Sequence, residues 1–100
     1  MINLIEENRK MRHHVIVEEK ELLKFLKVLD TISQESKRGV LLMDMEIGNC
    51  GWKDRPNCWY VFFTLANKHW RSLITILDKL EYGLVLGKDA NLYLAKRVES

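Results

Sequence analysis

Proline, glycine and cysteine are scarce in this sequence of 100 residues, which contains one proline, five glycines and two cysteines. So little proline and glycine excludes a fibrous or Pro/Gly-rich disordered chain. Two cysteines and the absence of a secretory leader pattern predict a cytoplasmic protein with reduced thiols. The longest nearly apolar run, Cys58 to Ala66, is too short to span a bilayer, so we expect no membrane partner.

A strong excess of one charge sign is also missing, because sixteen Lys and Arg face fourteen Asp and Glu, a net charge of +2. This balance excludes a polyanionic DNA mimic and a strongly basic nucleic-acid tail. The charges are nevertheless segregated. Residues 1–50 carry eight basic and nine acidic side chains, and residues 51–100 carry eight and five. The small net charge is therefore compatible with a local basic surface that binds an anion.

The hydrophobic pattern alternates between the period of a strand and the period of a helix, with no linker or repeat, so residues 1–100 form one domain. The predicted elements are an N-terminal arm or short helix (1–11), a strand (12–17), an amphipathic helix from the acidic run at 18–21 to Ile32, a strand (39–47), a loop (48–57), a strand (58–66), a second helix (67–80) and two short strands (83–87 and 91–98).

This order, β-α-β-β-α-β-β, predicts an α+β fold of ferredoxin-like type. Each helix has one apolar stripe, so two helices cover one face of an antiparallel sheet and form a two-layer sandwich. The stripe of the second helix comprises Trp70, Leu73, Ile74, Leu77 and Leu80. In this topology the first strand lies between the third and the fourth. Its start then lies beside the end of the third strand.

Basic side chains gather at the predicted start of the second helix. Asn67 is the expected N-cap, and Lys68 and Arg71 follow at the positive end of the helix dipole, where cations are unfavourable. Because the fold places the start of the first strand nearby, we expect a basic corner that binds an anion. Its members are Arg12, His13, His14, Lys68, His69, Arg71 and Lys88. The alternative is a solvated rim whose charges keep the protein soluble.

Aromatic side chains two residues apart predict a ring surface on the sheet face that the helices leave uncovered. Tyr60 and Phe62 fall on that face, and Tyr93 from the last strand joins them. Similar pairs stack bases in RNA-binding sheets. An equal alternative is that the N-terminal arm, the last hairpin or a second copy in a homodimer covers the rings. Asp44 and Glu46 fall on the same face, where carboxylates repel phosphates.

The loop of residues 48–57 is the main irregular connection of the chain. It presents Trp52 flanked by Lys53 and Arg55, and Trp and Arg are favoured anchors of protein interfaces. This loop is therefore the alternative binding surface, with a protein as its partner.

Residue patterns that carry catalysis or bind metal are missing. The sequence has no glycine-rich phosphate loop, nucleophile elbow or HExxH motif, so we expect no enzyme and no cofactor. Cys50 and Cys58 bracket the loop with a spacing that is not a recognised metal-ligand pattern. We expect free thiols there, with a disulfide at the hairpin end only under oxidation, and no metal.

From His14 onward the order of elements resembles an RNA-recognition motif, and Tyr60-Val61-Phe62-Phe63 is similar to the core of that family's third-strand signature. The resemblance implies that Tyr60 stacks on a base. Pro56-Asn57 stands where the family has a basic residue followed by glycine, and Val15-Ile16-Val17 lacks the aromatic residue of the family's first strand.

A second resemblance is to the C-terminal double-wing DNA-binding domain of phage middle-promoter activators, which has the same order of strands and helices. The residues 88–94, KDANLYL, followed by Lys96 and Arg97, are similar to a basic hairpin of that family. The resemblance implies that Lys88, Lys96 and Arg97 touch nucleic acid.

Two functions follow as expectations. The first is a small non-enzymatic regulator of phage or mobile-element type that binds nucleic acid through the basic corner and one hairpin. The second is a small inhibitor or immunity-like protein that binds and blocks an enzyme or effector complex through the loop of Trp52.

Overall fold

The computed structural model describes residues 10–35 and 45–97 of the chain. Its elements are β1 (Lys10–Glu18), α1 (Glu19–Glu35), β2 (Glu46–Asn49), β3 (Cys58–Ala66), α2 (Asn67–Lys79), β4 (Tyr82–Leu86) and β5 (Leu92–Lys96). They follow one another in the predicted succession. Residues 1–9 of the expected arm, residues 39–44 of the expected second strand and Val98 lie outside the described residues.

The five strands form one mixed sheet in the order β2-β3-β1-β5-β4. β1 and β3 pair antiparallel over their whole length, so Lys10 lies opposite Ala66 and Glu18 opposite Cys58. The start of β1 therefore lies beside the end of β3, as the sequence predicts. At the outer edge, β2 extends to Asn49, beyond the predicted end of this strand at Ile47.

The strand order differs from the predicted antiparallel, ferredoxin-like sheet at the last hairpin. β5, rather than β4, lies beside β1, and it runs parallel to β1. Because a short turn joins β4 and β5, the hairpin docks as one unit, and either of its apolar strands can pair with β1. Docking through β5 packs Leu92 and Leu94 against the core, while Val85 and Leu86 of β4 are 53% and 68% exposed.

The two helices begin differently. α1 carries Glu19 and Glu21 in its first turn, where the helix dipole favours acidic side chains. α2 has no acidic residue in its first turn, and Ala66 occupies its N-cap position without a side-chain hydrogen bond. The prediction of Asn67 as the N-cap is therefore wrong. β3 runs directly into α2, which places the last strand residue at the cap.

Both helices pack on one face of the sheet, where their buried side chains share one core with the strands. The core comprises Val15, Val17, Phe25, Val28, Leu29, Ile32, Val61, Phe63, Leu65, Leu73, Leu77 and Tyr82. This arrangement is compatible with a two-layer α+β sandwich. The predicted apolar stripe of α2 is correct for Leu73 and Leu77, whereas Ile74 and Leu80 are 41% and 46% exposed.

Candidate functional site

The sheet face opposite the helices, called the open face, carries alternate residues of the strands. His14 and Ile16 of β1 lie on the open face, because Val15 and Val17 point into the core and the His13 ring contacts the core residue Phe63. The register places Phe62 opposite His14 and Tyr60 opposite Ile16. On the other side of β1, Tyr93 of β5 lies beside Ile16. The three aromatic residues predicted for this face therefore lie on it.

His14, Phe62 and Tyr60 form a ring cluster, called the stacking platform. The rings of His14 and Phe62 are stacked, with centroids 4.4 Å apart and planes inclined by 15°. The Tyr60 ring meets Phe62 edge-on at 5.5 Å. All three side chains are half-buried. The platform is thus a supported aromatic surface that still contacts solvent.

Tyr60 is held against the sheet by a glycine on the neighbouring strand. Gly48 lies directly opposite Tyr60 in the β2–β3 ladder. A Cβ atom at residue 48 would overlap the hydroxyl group and ring of Tyr60. The ring therefore lies across the glycine backbone, a close approach that a side chain at this position would prevent.

A cation lies over the Phe62 ring of the stacking platform. The guanidinium carbon of Arg12 lies 5.0 Å from the centroid of the Phe62 ring. Arg12 Nη2 also lies 3.2 Å from Glu46 Oε2, in an ion pair whose side chains are 46% and 64% exposed. Because Arg12 compensates the charge of Glu46, this carboxylate repels phosphates less than the sequence predicts. Asp44, the second expected carboxylate, lies outside the described residues.

Trp52, Arg55 and Tyr93 form a second group on the open face, called the arginine cluster. The guanidinium carbon of Arg55 lies 4.5 Å from the Trp52 ring centroid and 5.6 Å from that of Tyr93. The interaction of Arg55 with the Tyr93 side chain also raises the pKa of Arg55. The Tyr93 hydroxyl donates in turn to Asp89 Oδ2. These contacts tie the β2–β3 loop to the β4–β5 turn across the open face.

The contacts of the arginine cluster fix its charges. The interaction with Tyr93 raises the pKa of Arg55 above its ordinary value. The hydrogen bond from Tyr93 lowers the pKa of Asp89, and the same bond raises the pKa of Tyr93. At neutral pH the cluster therefore holds a guanidinium cation and a neutral phenol beside a carboxylate.

The loop that presents Trp52 and Arg55 has internal hydrogen bonds. Asn49 Nδ2 donates to the Pro56 carbonyl at 2.9 Å, and Asn49 Oδ1 accepts from the Gly51 amide at 2.7 Å. Gly51 has φ of 74°, a left-handed conformation that favours glycine. Lys53, the third residue of the expected protein-binding surface, is exposed.

His13 lies on the opposite side of β1 from Arg12 and His14, because successive strand residues alternate between faces. Its ring is stacked on Trp70 of α2, with centroids 4.5 Å apart. It also lies 5.5 Å from the Phe63 ring. Burial lowers the pKa of His13. This member of the expected basic corner thus packs between strand and helix.

The other members of the expected basic corner lie on three different parts of the surface. Lys68 and Arg71 are exposed in the first turns of α2, where His69 is half-buried. Lys88 lies in the β4–β5 turn and lines a groove with Arg55. The structure therefore brings Lys88 to the arginine cluster, and Arg12 and His14 to the stacking platform.

The basic hairpin suggested by the double-wing resemblance has one member in an ion pair. Arg97 pairs with Asp78 of α2, and its backbone amide donates to the Glu81 carbonyl at 2.7 Å. Lys96 is exposed at the end of β5. Arg97 therefore anchors the end of β5 to the end of α2.

Cys50 and Cys58 face each other at the base of the β2–β3 loop, where the Cys50 amide donates to the Cys58 carbonyl at 3.0 Å. Both thiols are free. Burial raises the pKa of the Cys50 thiol, which disfavours the reactive thiolate. Within residues 10–35 and 45–97, no group of three or more His, Cys, Asp and Glu residues is placed to hold a metal ion.

Sequence reasoning missed the connection from Arg55 through Tyr93 to Asp89. The local signals were the spacing of three between Trp52 and Arg55, and an Asp-x-Asn turn at Asp89. In that turn the Asn91 amide donates to Asp89 Oδ1 at 3.1 Å. No sequence period connects the two segments.

No family model, curated protein or solved structure matches this chain. The resemblances to RNA-recognition motifs and to double-wing domains therefore stay predictions. Neither helix in the described part of the chain is long and apolar enough to cross a membrane.

Proposed function

We propose that the protein binds single-stranded nucleic acid on the open face of its sheet. The observation that carries this proposal is the parallel stack of His14 on Phe62, with Arg12 beside it. The proposed role as a regulator of phage type rests on the double-wing resemblance alone.

The ring arrangement favours unpaired bases as the ligand. Single-stranded nucleic acid exposes the flat faces of its bases, and aromatic side chains on a sheet stack on them without regard to sequence. Phe62 is supported by His14 on one side and by Tyr60 at its edge, so its ring is already oriented. A duplex keeps its base faces stacked on one another, which makes it the poorer ligand.

The two arginines of the open face supply the charge that a nucleic-acid backbone requires. Arg12 and Arg55 each lie against aromatic rings with exposed side chains. A guanidinium stacks on bases and donates to phosphates, so it suits both parts of a nucleotide. With few cations, the affinity should depend moderately on salt, by about −0.7 in the log–log slope for each phosphate contact.

The direct test is fluorescence anisotropy with a labelled oligonucleotide of about ten nucleotides, single-stranded or as a duplex, at several salt concentrations. We expect the single strand to bind more tightly than the duplex. Phe62→Leu removes the ring and keeps an apolar side chain, so it should weaken binding about tenfold, the loss of one stacked base. Its urea unfolding curve shows whether the fold is retained.

The matched control is the double variant Lys68→Ala and Arg71→Ala, which removes two exposed cations from α2. It should change the affinity less than Phe62→Leu does. Loss of binding in this variant alone would assign the site to the start of α2. No binding of the wild-type protein at low salt would overturn the proposed function.

A protein partner is the second candidate, favoured by the packing of Arg55 between Trp52 and Tyr93. Trp, Tyr and Arg dominate the binding energy of protein interfaces. This candidate, an inhibitor or immunity-like protein, predicts a stoichiometric partner that survives nuclease treatment and is lost in Arg55→Ala but not in Phe62→Leu.

A homodimer through the open face predicts instead a sedimentation coefficient that rises with protein concentration.

A further inference from the structure

A groove lies on the open face between the β2–β3 loop and the β4–β5 turn. It is lined by Arg55, Gly87, Lys88, Asp89 and Tyr93, and its volume is about 360 Å³. Gly87 keeps it open, because a Cβ atom at this residue would lie 2.6 Å from the Tyr93 ring. The groove is thus bounded by one aromatic ring, two cations and one carboxylate.

The carboxylate of the groove is engaged within its own turn. Asp89 accepts hydrogen bonds from the Asn91 amide at 3.1 Å, from Asn91 Nδ2 at 3.2 Å and from the Tyr93 hydroxyl. The nearest partner of Arg55 in an ion pair is Asp54, which lies at 4.0 Å outside the groove lining. Arg55 and Lys88 with the ionised Asp89 therefore give the groove lining two cations and one carboxylate, a net charge of +1.

A phosphate monoester gains more from this net positive charge than a phosphodiester does. A diester within a strand carries one negative charge, whereas a monoester at neutral pH carries about −1.5 to −2 and three acceptor oxygens. Arg55 has five N–H donors in a planar guanidinium, a geometry that suits the oxygens of a phosphate. The monoester, with more charge and more acceptor oxygens, is therefore the better ligand for this lining.

The groove adjoins the path that a strand bound on the open face can take. It is lined by Tyr93, whose ring shares this face with Tyr60 and Phe62. A single strand that crosses the open face from Phe62 towards Tyr93 therefore reaches the groove.

We infer that this groove binds the terminal phosphate of a single-stranded nucleic acid, held between Arg55 and Lys88. The inference rests on the proposed function, and it names the part of the strand that the groove takes. In this arrangement Lys88 selects strand ends, and the stacking platform binds the internal nucleotides.

The test is a competition assay with unlabelled short oligonucleotides that carry a 5′ phosphate, a 3′ phosphate or only hydroxyl ends. We expect one of the two phosphorylated forms to bind about fivefold more tightly than the hydroxyl form, the effect of one partly screened ion pair. Lys88→Ala should abolish this preference and leave the affinity for the hydroxyl form almost unchanged. Lys53→Ala, an exposed lysine outside the groove, should keep the preference.

The outcomes separate this inference from the proposed function. Equal binding of all three oligonucleotides overturns the inference and leaves nucleic-acid binding in place. A preference that persists in Lys88→Ala also overturns it, since the phosphate then binds elsewhere. If none of the oligonucleotides binds, the proposed function fails and the inference fails with it.

Discussion

The imidazole ring of His14 lies parallel to the phenyl ring of Phe62, with centroids 4.4 Å apart and planes inclined by 15°. The two residues are directly opposite each other in the β1–β3 ladder. Such cross-strand ring pairs contribute about 0.5–1.5 kcal/mol beyond the area they bury. The pair holds both rings in one orientation, which the proposed stacking of bases requires.

Removing the carboxylate beside this pair should strengthen nucleic-acid binding. Glu46 holds Arg12 at 3.2 Å, so part of the charge of Arg12 is compensated. In Glu46→Gln the guanidinium is free to contact a phosphate. We expect about threefold higher affinity and a salt dependence that is steeper by about 0.7 in the log–log slope. Anisotropy titrations at several salt concentrations measure both quantities.

The control for Glu46→Gln is Asp30→Asn on α1, which changes the net charge by the same amount. Asp30 is exposed and accepts a hydrogen bond from Gln34. It belongs to α1, which packs on the face of the sheet opposite the open face. If the two variants raise the affinity equally, the effect is one of overall charge, and the role of the Arg12–Glu46 pair in binding is contradicted.

His13 should make the stability of the protein depend on pH in the acidic range. Burial beside Phe63 and Trp70 lowers its pKa, while in the unfolded chain it titrates at about 6.5. The unfolded state therefore binds the proton first. The stabilisation is complete above about pH 6.5 and is lost as the pH falls below that value towards the lower pKa of the folded state.

His13→Phe tests this prediction, because it keeps an aromatic ring against Trp70 and removes the titrating group. Urea unfolding of both proteins should give a free-energy difference that is constant above about pH 6.5 and shifts in favour of the variant at lower pH. A difference that does not change between neutral and mildly acidic pH would show that His13 is not buried in this way.

The fold could be predicted from the sequence where the hydrophobic pattern is strong. Features that depend on contacts between segments distant in sequence could not. Consecutive β-branched residues located β1, the apolar run from Cys58 to Ala66 located β3, and spacings of three and four located both helices. The end of β2 was misplaced because Gly48 resembles a loop residue, whereas Tyr60 covers it from the neighbouring strand. Which strand of the last hairpin lies inside was not readable either, since both are apolar.

The same distinction holds for the candidate site. Alternation along the strands was enough to place Tyr60, Phe62 and Tyr93 on one face. The contact of Arg55 with Tyr93 depends on the path of an irregular loop, which no sequence period describes. His13 was predicted to lie near the start of the second helix, and its ring does stack on Trp70 there, but the sequence did not show that burial lowers the pKa of His13.

Two neighbouring apolar residues of α2 should differ in their effect on stability. Leu73 is 0% exposed, whereas Ile74 is 41% exposed, although the helical period predicted both for the core. Leu73→Ala should lower the free energy of unfolding by about 2–5 kcal/mol, because it leaves a cavity. Ile74→Ala should cost less than about 1 kcal/mol. Urea unfolding measures both, and equal losses would contradict the orientation of α2.

The hydrogen bond between Tyr82 and Glu21 should be visible in alkaline titration. The Tyr82 hydroxyl donates to Glu21 Oε2, and this bond is the main reason why its pKa rises to about 12. In the unfolded chain the group ionises at about 10, so the folded state favours the protonated phenol. The contribution to stability is complete below about pH 10 and is lost as the pH rises through about 12.

Absorbance titration of the phenolate measures this prediction directly, because the chain has only three tyrosines. We expect the step near pH 12 to vanish in Tyr82→Phe and to move to lower pH in Glu21→Gln, whose amide lacks the charge that disfavours a neighbouring phenolate. Tyr82→Phe should also lower the free energy of unfolding at neutral pH by about 1 kcal/mol, the net contribution of one hydrogen bond. If a step near pH 12 persists in Tyr82→Phe, the step belongs to another tyrosine. That result would contradict a stabilising hydrogen bond between α1 and β4.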